Sequence, residues 1–159
     1  MEGKSIEDRT EELLVRGYNC AQAVMMSLMD LWQEELKLSE RDRAVLEKSI
    51  IGFGAGMGHS GQVCGAVSGA AAALSLLWGY GSEPDADKKS RLYLRVEALT
   101  DRVRERYGRE ACDWIVGRGA EKTGLTGEAP SGKKRVCLDA VRFAAGEAAR
   151  IGREPDPLS

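Results

Sequence analysis

Along this chain apolar residues recur at steps of three and four, and no stretch alternates apolar with polar as a strand would. Ser5, answered by Asp8, can cap a first helix whose apolar face is Leu13 and Leu14; Gly17 ends it. Asn19 caps a second helix from Cys20 to about Leu36. Cys20, Val24, Leu28 and Leu31 form one stripe on it, and Met25, Met29, Trp32 and Leu36 form the next, so it should pack on two sides. Methionines at that spacing are core filler before they are ligands. Ser39 and Asp42 open a third helix with Val45, Leu46, Ser49, Ile50 and Phe53 on its inner face. After Pro84, the positions Leu92, Val96, Leu99, Val103 and Tyr107 mark an amphipathic helix that Gly108 stops. A helical turn or two should follow, closing at Gly117, and residues 118 to 134 read as a surface loop, the place where disorder is expected. A last helix runs from about Lys133 to Arg150, with a narrow seam of Cys137, Val141, Ala144, Ala148 and Ile151. The tail beyond Ile151 should be loose.

The organising stretch lies in the middle. No Asp, Glu, Lys or Arg occurs between Lys48 and Glu83, although 30% of the chain is charged. A glycine-rich run from Gly52 leads into Cys64, and Val63 to Trp78 reads as a helix apolar on every face, hence buried on every face. Gly65, Ser68, Gly69 and the alanines make it too weakly hydrophobic for a membrane span. On it Gly65, Gly69 and Ala73 repeat as a groove of small residues into which another helix can press. The expected fold is all-α: about six helices in one domain, residues 1–151, around this central helix.

Composition narrows the function classes. A chain of 159 residues holds one good core. Its net charge of −2 makes no electrostatic case for nucleic acid or an anionic membrane. The first residues are charged and carry no apolar signal region, which points to the cytoplasm.

The four cysteines, Cys20, Cys64, Cys112 and Cys137, are 44, 48 and 25 residues apart, without any C-x-x-C. In a reducing compartment they are not expected to be permanent disulfides. Most free cysteines simply pack as small hydrophobes. These four, however, all fall at or near predicted helix starts, where unpaired N–H groups and the helix dipole stabilise a thiolate. They are therefore expected to converge on one pocket near the glycine run, with Cys64 the most reactive. Gly56, Gly58 and Gly65 are the positions where a cofactor would meet bare backbone. Gly56 to Gly61 matches G-x-G-x-x-G, but no strand precedes it, so a dinucleotide site is not expected. His59 is the only histidine, which excludes a histidine-rich metal site.

Three blocks together carry a family resemblance: residues 17 to 24 (GYNCAQAV), residues 52 to 58 (GFGAGMG) and residues 64 to 69 (CGAVSG), followed by lone Cys112 and Cys137. In this the chain resembles the C_GCAxxG_C_C family of redox-active proteins, with the likeness running from about Arg16 to Ala144. The resemblance implies redox activity based on the cysteines and names no substrate.

Two redox versions stay open. In one, Cys20, Cys64, Cys112 and Cys137 are metal ligands of an iron–sulfur cluster or a zinc ion. In the other, two of them, with Cys64 and Cys20 as the catalytic pair, cycle between dithiol and disulfide. Either would need a redox partner that the sequence does not name. The rival class is a helical interaction module, a homodimer, in which the cysteines only pack.

Overall fold

The computed structural model describes residues 3–156 and Leu158; Met1, Glu2 and the tail residues Pro157 and Ser159 lie outside the described residues. Six helices have ten or more residues: α1 (Ile6–Val15), α2 (Cys20–Leu31), α3 (Glu40–Ser49), α4 (Gly65–Trp78), α5 (Ala86–Tyr107) and α6 (Arg135–Arg153). Among the described residues the only β-pairing is two isolated bridges, so the fold is all-α.

Helix starts follow local chemistry. The Ser5 hydroxyl accepts from the Asp8 N–H at 3.1 Å, and Ser39 does the same for Asp42 at 3.0 Å. Asn19 and Gln22 form a reciprocal capping box at the head of α2. The expected helix to Leu36 is broken at Trp32, whose ring is buried against Gly152; a further turn, Gln33–Leu36, follows. Of the inner face read for α3, Leu46 packs against the core and Ile50, just past the helix end, is buried, but Val45 is 60% exposed. Polar contacts add to this: Arg43 pairs with Asp30 and donates to the Met26 carbonyl at 3.2 Å.

α4 is the central helix, packed against α2, α5 and α6. Gly69 lies on the backbone of Ala21 in α2, so the small-residue groove does receive a helix. The expectation of burial on every face needs correcting: Ser75 and Trp78 are exposed, because three neighbours do not enclose a fourth side. No helix among the described residues is long and apolar enough to cross a membrane.

Arg95 on α5 is the largest departure from the amphipathic pattern. Only 3% exposed, it donates to the carbonyls of Ile151 and Glu154 and lies 4.0 Å from the Trp78 ring. It thus satisfies carbonyls that the end of α6 leaves without partners. The tail is also less loose than expected, since Glu154 and Asp156 pair with Arg102 and Arg91 on α5, and α6 itself continues to Arg153.

Helical structure does not close at Gly117. Cys112–Trp114 passes through a π-helical segment, Ile115–Gly119, into Ala120–Thr123, and Gly124 at φ +73° ends it. The Trp114 indole donates to the Tyr107 carbonyl and Lys122 to the Glu105 carbonyl, which fastens this segment to the end of α5. What remains of the expected loop is ordered by backbone bonds between Ala129 and Lys133 and between Arg135 and Gly127. α6 buries a wide face, from Val136 through Ala140, Ala145 and Ala149, rather than a narrow seam. It packs along α1, where Arg142 pairs with Asp8.

Candidate thiol site

Each cysteine is positioned by its own element. Cys20 is the first residue of α2, directly after the capped Asn19. The Asn19 amide also donates to the Ile51 carbonyl at 2.8 Å, which draws the glycine run against this helix start. Gly54 and Gly65 make that approach possible. A Cβ at Gly54 would stand 2.5 Å from the Asn19 amide, and one at Gly65 would overlap the Cys20 sulfur.

Cys64 is the cap residue of α4. Its N–H donates to the Glu110 carbonyl at 2.8 Å, and the Cys112 N–H donates to the Gln62 carbonyl at 2.6 Å. This short antiparallel bridge, Val63 opposite Ala111, fixes Cys64 and Cys112 relative to each other. It is steadied from outside by Arg104, which grips both Glu110 carboxylate oxygens at 2.9 Å and lowers that carboxyl to about 2. Glu110 could not be found from sequence, because its role is carried by its main-chain carbonyl. Cys137 is the third residue of α6.

The four cysteines line one cavity of about 570 Å³. Leu14, Ile115 and Val141 give it apolar walls, and His59, Asp113 and Lys134 are among its polar lining. None of the four sulfurs is in a disulfide. Among the described residues no three His, Cys, Asp or Glu side chains are gathered closely enough to hold a metal ion.

The wall carrying Cys64 has an unusual backbone. Ala55, Gly56, Met57, Gly58 and His59 take positive φ in succession, between +53° and +69°, a turn of left-handed helix. L-residues pay roughly 1–2 kcal/mol each for this conformation. Two bonds close the turn, Gly58 N–H to the Gly54 carbonyl at 2.9 Å and Gln62 N–H to the Gly56 carbonyl at 3.0 Å. Gly56 is required twice over, since a Cβ there would also stand 2.5 Å from the Cys112 Cβ. Gly58 sustains the turn, and Gly65 makes room for Cys20; the cavity lining itself comes from Ala55, His59 and Gly61. The strand that a dinucleotide fingerprint needs is absent here, as Ile51–Phe53 is a 3₁₀ turn. Ala55→Gly is expected to stabilise the protein by about 1 kcal/mol, because it removes the left-handed penalty. A lower urea midpoint for that variant would show that the alanine methyl matters more than its backbone.

Thiol electrostatics run against the expectation drawn from helix starts. Burial pushes Cys64, 7% exposed, up to about 12; the neighbouring Cys20 adds to this, and the Ala66 N–H opposes it. Burial likewise lifts Cys137 to about 11, with Cys112 and Cys20 adding and Lys134 opposing. Cys112 is raised by burial, Cys20 and Asp113. Desolvation outweighs the helix dipole at these three positions. Burial thus works against the expectation that Cys64 is the most reactive free thiol.

The chain matches the family described as "Putative redox-active protein (C_GCAxxG_C_C)" over residues 18–151, and it belongs to that family. No curated protein and no solved structure matches it.

Proposed function

We propose that the four cysteines are the ligands of one redox centre, an iron–sulfur cluster, through which this protein passes electrons. The observation that supports the reading is that all four line a single cavity, where three of the thiols are held protonated by burial and by one another; as they stand no three are close enough to hold a metal ion, so ligation would have to draw them together. Thiol–disulfide exchange proceeds through a thiolate, and these thiols resist forming one near neutral pH. Four cysteines are the usual ligand set for iron–sulfur clusters and for structural zinc. Zinc has no redox chemistry, so redox activity in the family favours iron and sulfide. When bound, such a cluster exchanges single electrons.

The chain's own residues would do the rest. Cys20, Cys64, Cys112 and Cys137 would each give up a proton on ligation, so loading should improve as pH rises. Leu14, Ile115 and Val141 would limit water. The N–H groups at the starts of α2, α4 and α6 would offset part of the negative charge. Free thiols of this kind suit a reducing compartment such as the cytoplasm.

A dithiol–disulfide pair is the second reading. Its support is that Cys20 is the neighbour weighing most on Cys64. Anaerobic reconstitution with ferrous iron and sulfide separates the possibilities. The expected product binds both, shows visible absorbance that bleaches on reduction, and loses it when any one cysteine is changed to serine. A protein that takes up no iron but cycles reversibly between four and two free thiols would favour the pair. One that does neither would be an interaction module whose cysteines only pack.

A further inference from the structure

The thiols that line the cavity are not equally open to a visitor. Cys64 is 7% exposed, whereas Cys20 is only half-buried, so a molecule entering the cavity meets Cys20 before Cys64. The Cys20 sulfur rests against Gly65, the residue that follows Cys64. A Cβ at Gly65 would overlap that sulfur and would stand 3.2 Å from the Ala21 nitrogen. The starts of α2 and α4 therefore meet with no side chain between them, and Cys20 is also the thiol that weighs most on Cys64. A disulfide needs only two sulfurs, and these two elements bring a pair together. The rest of the cavity suits a small molecule. Its volume of about 570 Å³ falls among the roughly 300–1,000 Å³ of small-molecule sites. Leu14, Ile115 and Val141 wall it, and its charged lining balances, with Asp113 and Glu128 against Lys133 and Lys134. A charged visitor would lose water there without meeting an excess of opposite charge.

We propose that the cavity takes a small, uncharged, largely apolar disulfide, with Cys20 as the sulfur that attacks it and Cys64 as the sulfur that releases the product. The assignment rests on the dithiol reading given second above and needs no metal. It reverses the order that the sequence suggests, in which Cys64 reacts first. In the first step the Cys20 thiol gives its proton to water and its sulfur bonds to one sulfur of the substrate. The substrate S–S bond breaks, and the departing sulfur takes up a proton. In the second step Cys64 gives up its own proton and bonds to the Cys20 sulfur, and the other half of the substrate leaves as a thiol. The protein loses two electrons, the substrate gains them, and two small thiols are released. Because Cys64 is the more buried, the second step should be the slower.

The test treats the fully reduced chain, under anaerobic conditions, with one equivalent of an uncharged probe, dithiodipyridine. Dithiobis(nitrobenzoate), which carries two carboxylates, is the charged comparison. Wild type should release both halves of dithiodipyridine as thiopyridone, one quickly and one more slowly, and peptide mapping should find Cys20 joined to Cys64. Cys64→Ser should release the first half at the wild-type rate and hold the second on Cys20. Cys20→Ser should slow the first release roughly ten-fold, while Cys112→Ser and Cys137→Ser leave both steps in place. Scaled to the reaction of each probe with mercaptoethanol, the charged probe should react roughly ten-fold more slowly than the uncharged one. The wild-type bond map decides the pairing even where a variant fails to fold. An internal disulfide between any other two cysteines, or first modification at Cys64, would overturn the assignment while leaving the dithiol reading standing. Equal scaled rates for the two probes would overturn the substrate class. Probe left on single cysteines, with no internal disulfide formed, would overturn the assignment and the dithiol reading together.

Discussion

Gly69→Leu should cost the protein about 3 kcal/mol, at the upper end of what overpacking usually costs. A Cβ at Gly69 would lie 3.0 Å from the Ala21 carbonyl carbon and closer still to its oxygen. Those atoms are backbone within α2 and cannot swing aside as a side chain would. To admit even Ala, α2 must shift away from α4, and Cys20 shifts with it. A loss of that size is a large share of the 5–15 kcal/mol typical of a whole domain. Gly52→Ala is the contrast: nothing lies within 4 Å of its Cβ position, and its φ is not positive. It should change stability by no more than about 0.5 kcal/mol. Urea unfolding with unchanged slope measures both. A Gly69→Leu midpoint close to wild type would mean that the contact between α4 and α2 is looser than its geometry implies.

With all four thiols free, stability should fall between about pH 9 and 12, and Cys64 should be a main cause. Its folded pKa, about 12, stands above the ordinary value of 9.0, so the folded state keeps a proton that the unfolded chain gives up. Stability is therefore complete below pH 9 and lost as pH climbs through the folded value. At about 1.4 kcal/mol for each pH unit, the ceiling is about 4 kcal/mol. Cys137, raised to about 11, contributes in the same window. Cys64→Ser removes the largest share. Its stability measured against pH should run flatter than that of wild type across this range. Parallel curves would show that the Cys64 thiol ionises within the fold without penalty.

What could be read from the sequence was local, and what could not was mostly tertiary. Ser5 with Asp8, Asn19 with Gln22, and Ser39 with Asp42 announce their helices because a cap and its partner lie within one turn. The break at Trp32 depends on Gly152, and the burial of Arg95 depends on carbonyls 56 and 59 residues away. No local pattern contains either. The π-helical passage after Trp114 was hidden for a similar reason, since Gly117 looks like a stop until Tyr107 and Glu105 are seen to hold the segment. The cysteines were legible as a set, because helix starts and the spaced motifs single them out. Their protonation was not, because it depends on burial. In the glycine run the sequence suggests freedom, yet Ala55, Met57 and His59 share the left-handed turn with the glycines, and only tertiary closure can impose that.

The placement of Cys137 has a consequence for the protein's birth. Cys20 and Cys137 lie 117 positions apart, and the cavity they share is walled by α2 near one end of the described chain and α6 near the other. At about 5–20 residues per second, a ribosome needs roughly 6–23 seconds between making the first and the last of these thiols. Through that interval Cys20, Cys64 and Cys112 can meet one another only without their fourth member. The cavity with all four thiols on its wall comes into being only after α6 has emerged and docked along α1.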